Sequence, residues 1–485
     1  MKIILINPPR FKDTECIAPS YMFDYGFNYP PLGLLYLASN LKGNHECKII
    51  DALALKYSPY DCLNEIKEYK PLIVGMTVFT DSLYSCQFLS RLIKDYDRNI
   101  KIIWGGPHVN IYPRESIELP AIDYVLTGFS ENSFSYLVNA LDNEHSDMPR
   151  VFENIPGLWW ANNKNIFISK SNIDKDWNIN ALKRPNRKLL DLDKYFTAAN
   201  NKKITTIVSS RGCPFVCTFC DVFEKRFLER DASDIIDELK DIIDLGISEV
   251  NFFDDCFNLK RERVMQLCQL IIDNKLKFEW SFRGRIEPCD EELTRLLYNS
   301  GCRRVQLGVE GSDQETINRI NKKINIEKLP KILKTYRQSG IKTMGYFIIG
   351  FPFQRYEDCV VSCKKIINMG FDYINMFILI PYPNTSIYKE LLTQGIIKRD
   401  QWHEYAVNPR PYFKLERWHP YIEREVLEVL MDKYYGKFYL SPRRIFSEFK
   451  GIRSLNSLIH KSKMAMGIIK GCLHNKTRNS TSVGS

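Results

Sequence analysis

The stretch "RGCPFVCTFC" (residues 211–220) places three cysteines at i, i+4 and i+7 with a glycine and a proline among them. On a helix those positions share one face, and three buried thiols there would need no further explanation. Gly212 and Pro214 favour a loop over a helix interior, so Cys213, Cys217 and Cys220 read as a ligand-like group on a turn. What precedes and follows this loop decides the fold.

Upstream lies a short apolar run, "ITTIVSS" (204–210). Downstream, further apolar runs recur at one-helix intervals: "EVNFFDD", "EWSFRGR", "RVQLGVE", "TMGYFIIG" and "YINMFILIP". Between them sit amphipathic stretches such as "SDIIDELKDIIDLG" and "RERVMQLCQLIID", several opening on Asp or Ser and closing on Gly, as capping predicts. Six βα units predict a partial (β/α)6 barrel over 204–415, with chemistry at the carboxyl ends of its strands. The cysteine loop follows the first of these. A structural zinc would need a fourth ligand, and neither His nor Cys follows Cys220 within a dozen residues. An iron–sulfur cubane takes four thiolates, so three leave one iron open to a small molecule.

Residues 1–143 show a finer alternation. Strands are expected at "KIILINP", "CKIID", "LIVGMTV", "KIIWGG" and "YVLTG", separated by helical stretches, which predicts a doubly wound parallel sheet of about five strands. Its ligand edge would hold "NPP" (7–9), "TVFT" (77–80), "GGPH" (105–108) and "TGFSE" (127–131). The absence of G-x-G-x-x-G after the first strand argues against a nicotinamide site. Residues 144–203 are polar and weakly periodic, and read as a linker with a small hairpin around "GLWWANNKNIFIS", where Trp159 and Trp160 are expected to pack. Residues 416–485 open on an amphipathic helix, "EREVLEVLMDKYYGKFY", and read as a helical cap.

The bulk numbers agree with a soluble multidomain protein: 485 residues, 44% hydrophobic and 26% charged. Fourteen scattered cysteines without a secretory signal point to a reducing, cytoplasmic setting. The net charge of +10 is uneven. From Ser441 onward there are nine basic residues against the single acid Glu448, so a general nucleic-acid-binding surface is not expected. That tail has two readings, the end of a cap or a peripheral contact with anionic lipid.

C-x-x-x-C-x-x-C after the first strand of a partial barrel resembles the radical S-adenosylmethionine (SAM) superfamily. The resemblance implies a 4Fe-4S cluster on Cys213, Cys217 and Cys220, with SAM chelated by the open iron and cleaved to a 5′-deoxyadenosyl radical. It implies SAM contacts at Phe219, which would border the adenine, and at Asp254 or Asp255 of "FFDDCF", where the common Gly-Gly-Glu form is absent. Arg285 and Glu310 would face the ribose or carboxylate, and Gly345 and Gly350 would let the backbone approach the adenosyl group. A fourth thiolate from the protein would instead make this an electron-transfer or structural metal protein.

"YPPLGLLYLASNL", "IVGMTVFTDS", "WGGPHVN" and "YVLTGFSEN" resemble the Rossmann-like cobalamin (B12)-binding domain that precedes the barrel in one branch of that superfamily. By this resemblance Pro31, Gly33, Thr77, Thr80, Gly105, Gly106 and Gly128 would line the corrinoid. His108 would touch its tail or phosphate, because the Asp-x-His-x-x-Gly motif of cobalt-ligating histidines is absent. Phe129-Ser130-Glu131 departs from the usual Gly-Glu-Gly-Glu. The branch contains methyltransferases, an anaerobic porphyrin cyclase and hopanoid-modifying enzymes. The implied function is methylation of an unactivated carbon, or an oxidative cyclisation or rearrangement with the same cofactors. The implied partners are a small-molecule substrate, lipid-like or a natural-product intermediate, and a flavodoxin or ferredoxin as electron donor.

Overall fold

The computed structural model describes residues 1–12, 29–143, 147–162, 165–171, 174, 177–197, 202–442 and 444–445. The chain divides into two compact units. The first comprises Met1–Ile17, Pro30–Tyr195 and Arg399–Glu416, and the second the remaining segments.

The first unit is built on a sheet ordered β2-β1-β3-β4-β5-β6-β7. Its strands are β1 (Lys2–Asn7), β2 (Glu46–Asp51), β3 (Ile73–Thr77), β4 (Lys101–Gly105), β5 (Tyr124–Leu126), β6 (Leu158–Asn162) and β7 (Asn165–Ile168). The pairs among β1 to β5 are parallel. Helices cover both faces of such a sheet, which is why Ile3, Ile4, Leu5 and Ile6 are all buried although neighbours on a strand point opposite ways. Strand order reverses at β1, and the crevice outside the carboxyl ends of β1 and β3 is where open α/β sheets hold ligands.

The expectation of five strands and a linker over 144–203 needs correction. The hairpin β6–β7 adds to β5 in antiparallel fashion and extends the sheet to seven strands. Trp160 explains the addition: it is buried in the core of this unit, edge-on to Phe152 at 5.5 Å. Leaving it in a solvated linker would forgo roughly 2–3 kcal/mol of burial. The segment is then held as far as Tyr195, whose hydroxyl donates to Asp51 at 2.8 Å. A second correction concerns residues 399–416, read as the end of the barrel. They belong to the first unit, where Tyr84 N–H donates to the Tyr405 hydroxyl at 3.3 Å and Tyr412 N–H donates to the Lys12 carbonyl at 2.8 Å.

The second unit holds six parallel strands in the order β8-β11-β12-β13-β14-β15. These are β8 (Ile204–Ile207), β11 (Glu249–Phe252), β12 (Glu279–Gly284), β13 (Cys302–Glu310), β14 (Lys342–Ile349) and β15 (Tyr373–Ile378). A two-stranded ribbon, β9 (Ser210–Arg211) with β10 (Leu228–Glu229), brackets the cysteine loop. One helix follows most strands, as the capping signals predicted: Asp290 and Asp313 each accept from the backbone at the start of their helices. Phe252, Phe257, Trp280 and Phe282 pack behind the strands with ring centres 4.7–6.0 Å apart. Their neighbours Asn251, Ser281 and Arg283 therefore face the opposite, inner side.

The helix Arg424–Tyr439 closes the described part of this unit. The Tyr435 and Tyr439 hydroxyls bond the backbone of Met376 and Ile374 on β15, so the helix caps the last strand. Among the described residues no helix is long and apolar enough to cross a membrane. The basic tail from residue 446 lies outside the described residues.

Candidate active site

The cysteine loop leaves β9 through Gly212 in a left-handed conformation (φ +87°). A Cβ there would lie 1.9 Å from the Arg226 carbonyl oxygen, so only glycine lets the two arms of the loop close. Closure is completed by Cys213 N–H donating to the Glu224 carbonyl at 3.0 Å. Farther along, Thr218 N–H donates to the Ile320 carbonyl and Thr218 O accepts from Ile387 N–H, both at 3.0 Å. All three cysteines of the loop are half-buried free thiols.

Asp254 and Asp255 hold the base of the loop. Asp254 is buried and accepts from Ser209 N–H at 2.8 Å and from the Ser209 and Ser210 hydroxyls at 2.6 Å each. Burial raises its pKa, while Arg263 and these donors pull it back. With its lone pairs spent inside the protein, Asp254 is an anchor and not a ligand group. Asp255 accepts from Gly212 N–H at 2.7 Å and faces the exposed side.

Arg285 differs from expectation. Its guanidinium stacks on Phe215 at 3.7 Å and donates to the carbonyls of Lys322 and Lys323, so it clamps the 322–323 turn. Asn258 fixes the strand end beneath it by exchanging hydrogen bonds with the Arg285 backbone, both at 2.9 Å. Gly284 leaves room for that amide, since a Cβ would meet Asn258 Oδ1 at 2.1 Å. Glu310 does reach the site: half-buried, at φ +68°, it accepts from Lys322 Nζ at 3.1 Å. The Lys322 ammonium lies 6.0 Å from the half-buried Phe219 ring. Burial pushes the Cys217 thiol up, and Lys322 and Arg285 draw it back down.

Gly345 and Gly350 have packing reasons of their own. Added Cβ atoms would meet Phe347 at 2.6 Å and Phe371 at 3.0 Å in the first case, and Leu427 at 2.6 Å in the second. Both face the outer layer and not the mouth, which corrects the adenosyl reading. Lys322, Asn258 and Phe215 carried no motif in the sequence, because their roles arise from contacts across the mouth. A fourth cysteine also approaches. Cys256, beside Asp255, is buried, its thiol is pushed up to about 12 by burial, and its charge would interact with that of Cys213. Its full burial sets it apart from the three half-buried thiols of the loop. Among the described residues no three His, Cys, Asp or Glu side chains converge on a single-ion position. The three loop thiols suit a cluster instead, because a cubane takes one thiolate per iron and its ligands stand apart.

At the first unit's ligand edge, Thr77, Gly105, Gly106, Gly128 and Pro31 are half-buried and Gly33 is exposed. Pro31 sits at the start of the helix Leu32–Asn40. Gly106 is needed for close packing, since a Cβ would meet Thr77 Oγ1 and Val78 N at 2.9 Å. The Gly128 N–H is spent on Asn110 Oδ1 at 2.7 Å. His108 overturns its reading as a tail contact. It is 0% exposed, shares a 3.1 Å hydrogen bond through Nδ1 with the buried Thr80 hydroxyl, and leaves Nε2 without a partner. Burial holds its pKa at about 3, so the ring is neutral. Apolar cover is offered by Phe79, 46% exposed, and by Phe129 stacked on Trp177 at 4.3 Å.

Residues 207–366 match the radical SAM superfamily, and residues 20–138 match the B12 binding domain. An uncharacterized methyltransferase, PH0819, from Pyrococcus horikoshii is 30% identical over 453 residues, covering 92% of this chain and 94% of the relative. The anaerobic magnesium-protoporphyrin IX monomethyl ester cyclase of Rubrivivax gelatinosus is 26% identical over 410 residues, covering 81% of this chain and 70% of its own. Among solved structures, TsrM from Kitasatospora setae shares the fold. It is a radical S-adenosylmethionine methyltransferase with cobalamin and a [4Fe-4S] cluster bound, at TM-score 0.64 and 18% identity, over 82% of this chain and 75% of its own. With a cysteine loop after the first strand of a six-stranded half-barrel, and a full-length relative at this identity, the chain belongs to the radical SAM enzymes that carry a B12-binding domain.

Proposed function

We propose that this enzyme holds a 4Fe-4S cluster on Cys213, Cys217 and Cys220, SAM beside it and cobalamin on the first unit, and that it methylates an unactivated carbon of a small molecule. The observation that carries this reading is the loop itself. Three half-buried thiols stand at the strand ends, and Cys256, which lies near Cys213 among the described residues, is buried. That leaves one coordination position for SAM.

When bound, these cofactors supply one-electron cleavage of SAM and a carrier for a methyl group. The chain's own residues do the placing. Asp254 and Asp255 tie the loop to β11, Arg285 clamps the 322–323 turn, and Phe219, Glu310 and Lys322 form the polar and aromatic wall beside the thiols. At the first unit, Thr77 and Gly105 at the ends of β3 and β4, with exposed Phe79, would meet the corrinoid. The methyltransferase relative and the cobalamin-bound methyltransferase of like fold support methyl transfer. The cyclase relative supports a second reading, oxidative cyclisation without methyl transfer. Either reaction draws electrons from a small redox protein such as a flavodoxin or ferredoxin.

The test is made on anaerobically purified protein with its cluster rebuilt in the presence of hydroxocobalamin. Retention of about four irons and near one cobalt, with 5′-deoxyadenosine and S-adenosylhomocysteine both formed from SAM, is expected. Iron without cobalt, and 5′-deoxyadenosine alone, would move the assignment to the cyclisation class. No 5′-deoxyadenosine under reducing conditions would overturn it.

A further inference from the structure

We propose that the inner face of the half-barrel, one layer beneath the cysteine loop, binds the substrate through a carboxylate or phosphate group held by Arg283. The proposal deepens the functional reading above and rests on it for what the chamber is used for.

Arg283 and Arg285 are two residues apart on and just beyond β12, so both point inward with about 7 Å of strand between them. Their situations differ. Arg285 is spent on two backbone carbonyls, and Arg304, deeper in the lumen, is paired with Glu249 at 3.1 Å. Arg283 has no carboxylate partner among the described residues. It sits over the Phe253 ring, with Cζ 3.8 Å from the centroid, and its one hydrogen bond runs from Nε to Gln306 Oε1 at a long 3.4 Å. Stacking satisfies the face of a guanidinium and leaves its in-plane N–H donors pointing outward. The four Nη donors form the fork that matches two coplanar oxygens of a carboxylate or phosphate.

The surroundings add one free donor, the Ser281 hydroxyl, and one free acceptor, the Asn251 amide oxygen. Tyr346 donates to the same Gln306 Oε1 at 2.9 Å, which fixes that amide with its oxygen already occupied. Across the strands, Ser281 Oγ and Asn251 Oδ1 are buried without any hydrogen-bond partner. Both residues share the inner face with Arg283 through the β11–β12 register that pairs Asn251 with Ser281. An arginine with no carboxylate partner, on the same face as a free hydroxyl and a free amide oxygen, leaves polar groups unsatisfied at a cost. A bound oxyanion with polar substituents repays it. Phe253, 39% exposed, gives the same ligand an apolar contact.

The experiment uses the full chain with its cluster rebuilt. The probes are trifluoroacetate, read by broadening of its fluorine line, and inorganic phosphate, read by its phosphorus line. Wild type is expected to bind at a single site in the millimolar range. Arg283→Gln should weaken binding at least tenfold, Arg283→Lys should fall between, and Lys240→Gln, a charge-matched change on an exposed helix, should bind as wild type does. Preference for trifluoroacetate assigns a carboxylate, and preference for phosphate a phosphoryl group. Equal binding by wild type and Arg283→Gln, or none by wild type, would overturn the site. So would loss of probe binding under saturating SAM, because the fork would then be serving the SAM carboxylate. Formation of 5′-deoxyadenosine, followed in parallel, tests the functional reading separately: a wild type that binds the probes yet leaves SAM intact removes that reading and not the anion site.

Discussion

Acidification should loosen the first unit through His108, and the size of the effect can be worked out. The ring is fully enclosed and its pKa is held at about 3, against an ordinary value near 6.5 in the unfolded chain. Below pH 6.5 the unfolded state takes up a proton that the folded state refuses. Stability therefore rises with pH between about 3 and 6.5, and is lost as pH falls through that window. From pH 7 to pH 5 the loss is about 2 kcal/mol, roughly a 25-fold change in the opening equilibrium. Buried Asp51 and half-buried Asp81 pull the other way, since desolvation raises their folded pKa values and protonation then favours the folded state. A comparison with His108→Gln cancels them, because both proteins carry both aspartates. The assay is amide hydrogen exchange over the segment 101–112, reported as the ratio of wild-type to variant protection at each pH. That ratio should fall by about 25-fold between pH 7 and pH 5. A constant ratio would show that the ring either titrates in place or is not enclosed.

Three further predictions concern the cysteine loop. Cys217→Ala should keep the fold, because its side chain makes no structural bond, yet should lose both iron and 5′-deoxyadenosine formation. Cys256→Ser should retain iron near the wild-type level after cluster rebuilding, and loss of iron equal to that of Cys217→Ala would make Cys256 a ligand. Gly212→Ala should prevent the loop from closing and abolish iron retention, because its Cβ would be driven into the Arg226 carbonyl. Gly246→Ala, also at positive φ (+74°) but with nothing within 4 Å, should cost only the backbone strain of about 1–2 kcal/mol, measured as a shift in the urea midpoint.

Much of this architecture could be read from local signals. The cysteine spacing, the Gly and Pro within it, and the strand-helix alternation on either side are all set by residues within a turn or two of each other. The structure has six barrel strands where six apolar runs were read. What local pattern does not carry is the face a residue presents to distant parts of the chain. Gly345 looked like an opening toward the ligand, and it is closed by Phe371 from the next helix connection. Arg285 had the right chemistry at the right strand end, but a backbone turn almost forty residues later takes its donors. His108 sits in a ligand-edge turn, yet Thr80 and Tyr112 draw it inward. Lys322 was invisible because its partners Glu310 and Phe219 are twelve residues and a hundred residues away.

The return of residues 399–416 to the first unit bears on how the chain is made. Helix Gln401–Val407 is held there by Tyr405 against Tyr84 and by His403 against Glu115 at 3.0 Å. The sheet of that unit is complete once Ile168 has emerged, but its last piece is synthesised about 200 residues after Tyr195. At ribosomal rates of about 5–20 residues per second, the nascent domain waits roughly 10–40 s with that surface uncovered. A clone ending near residue 195 would express the same unfinished intermediate for good. The smallest piece of this gene that can yield a finished first unit therefore runs through Glu416, barrel included.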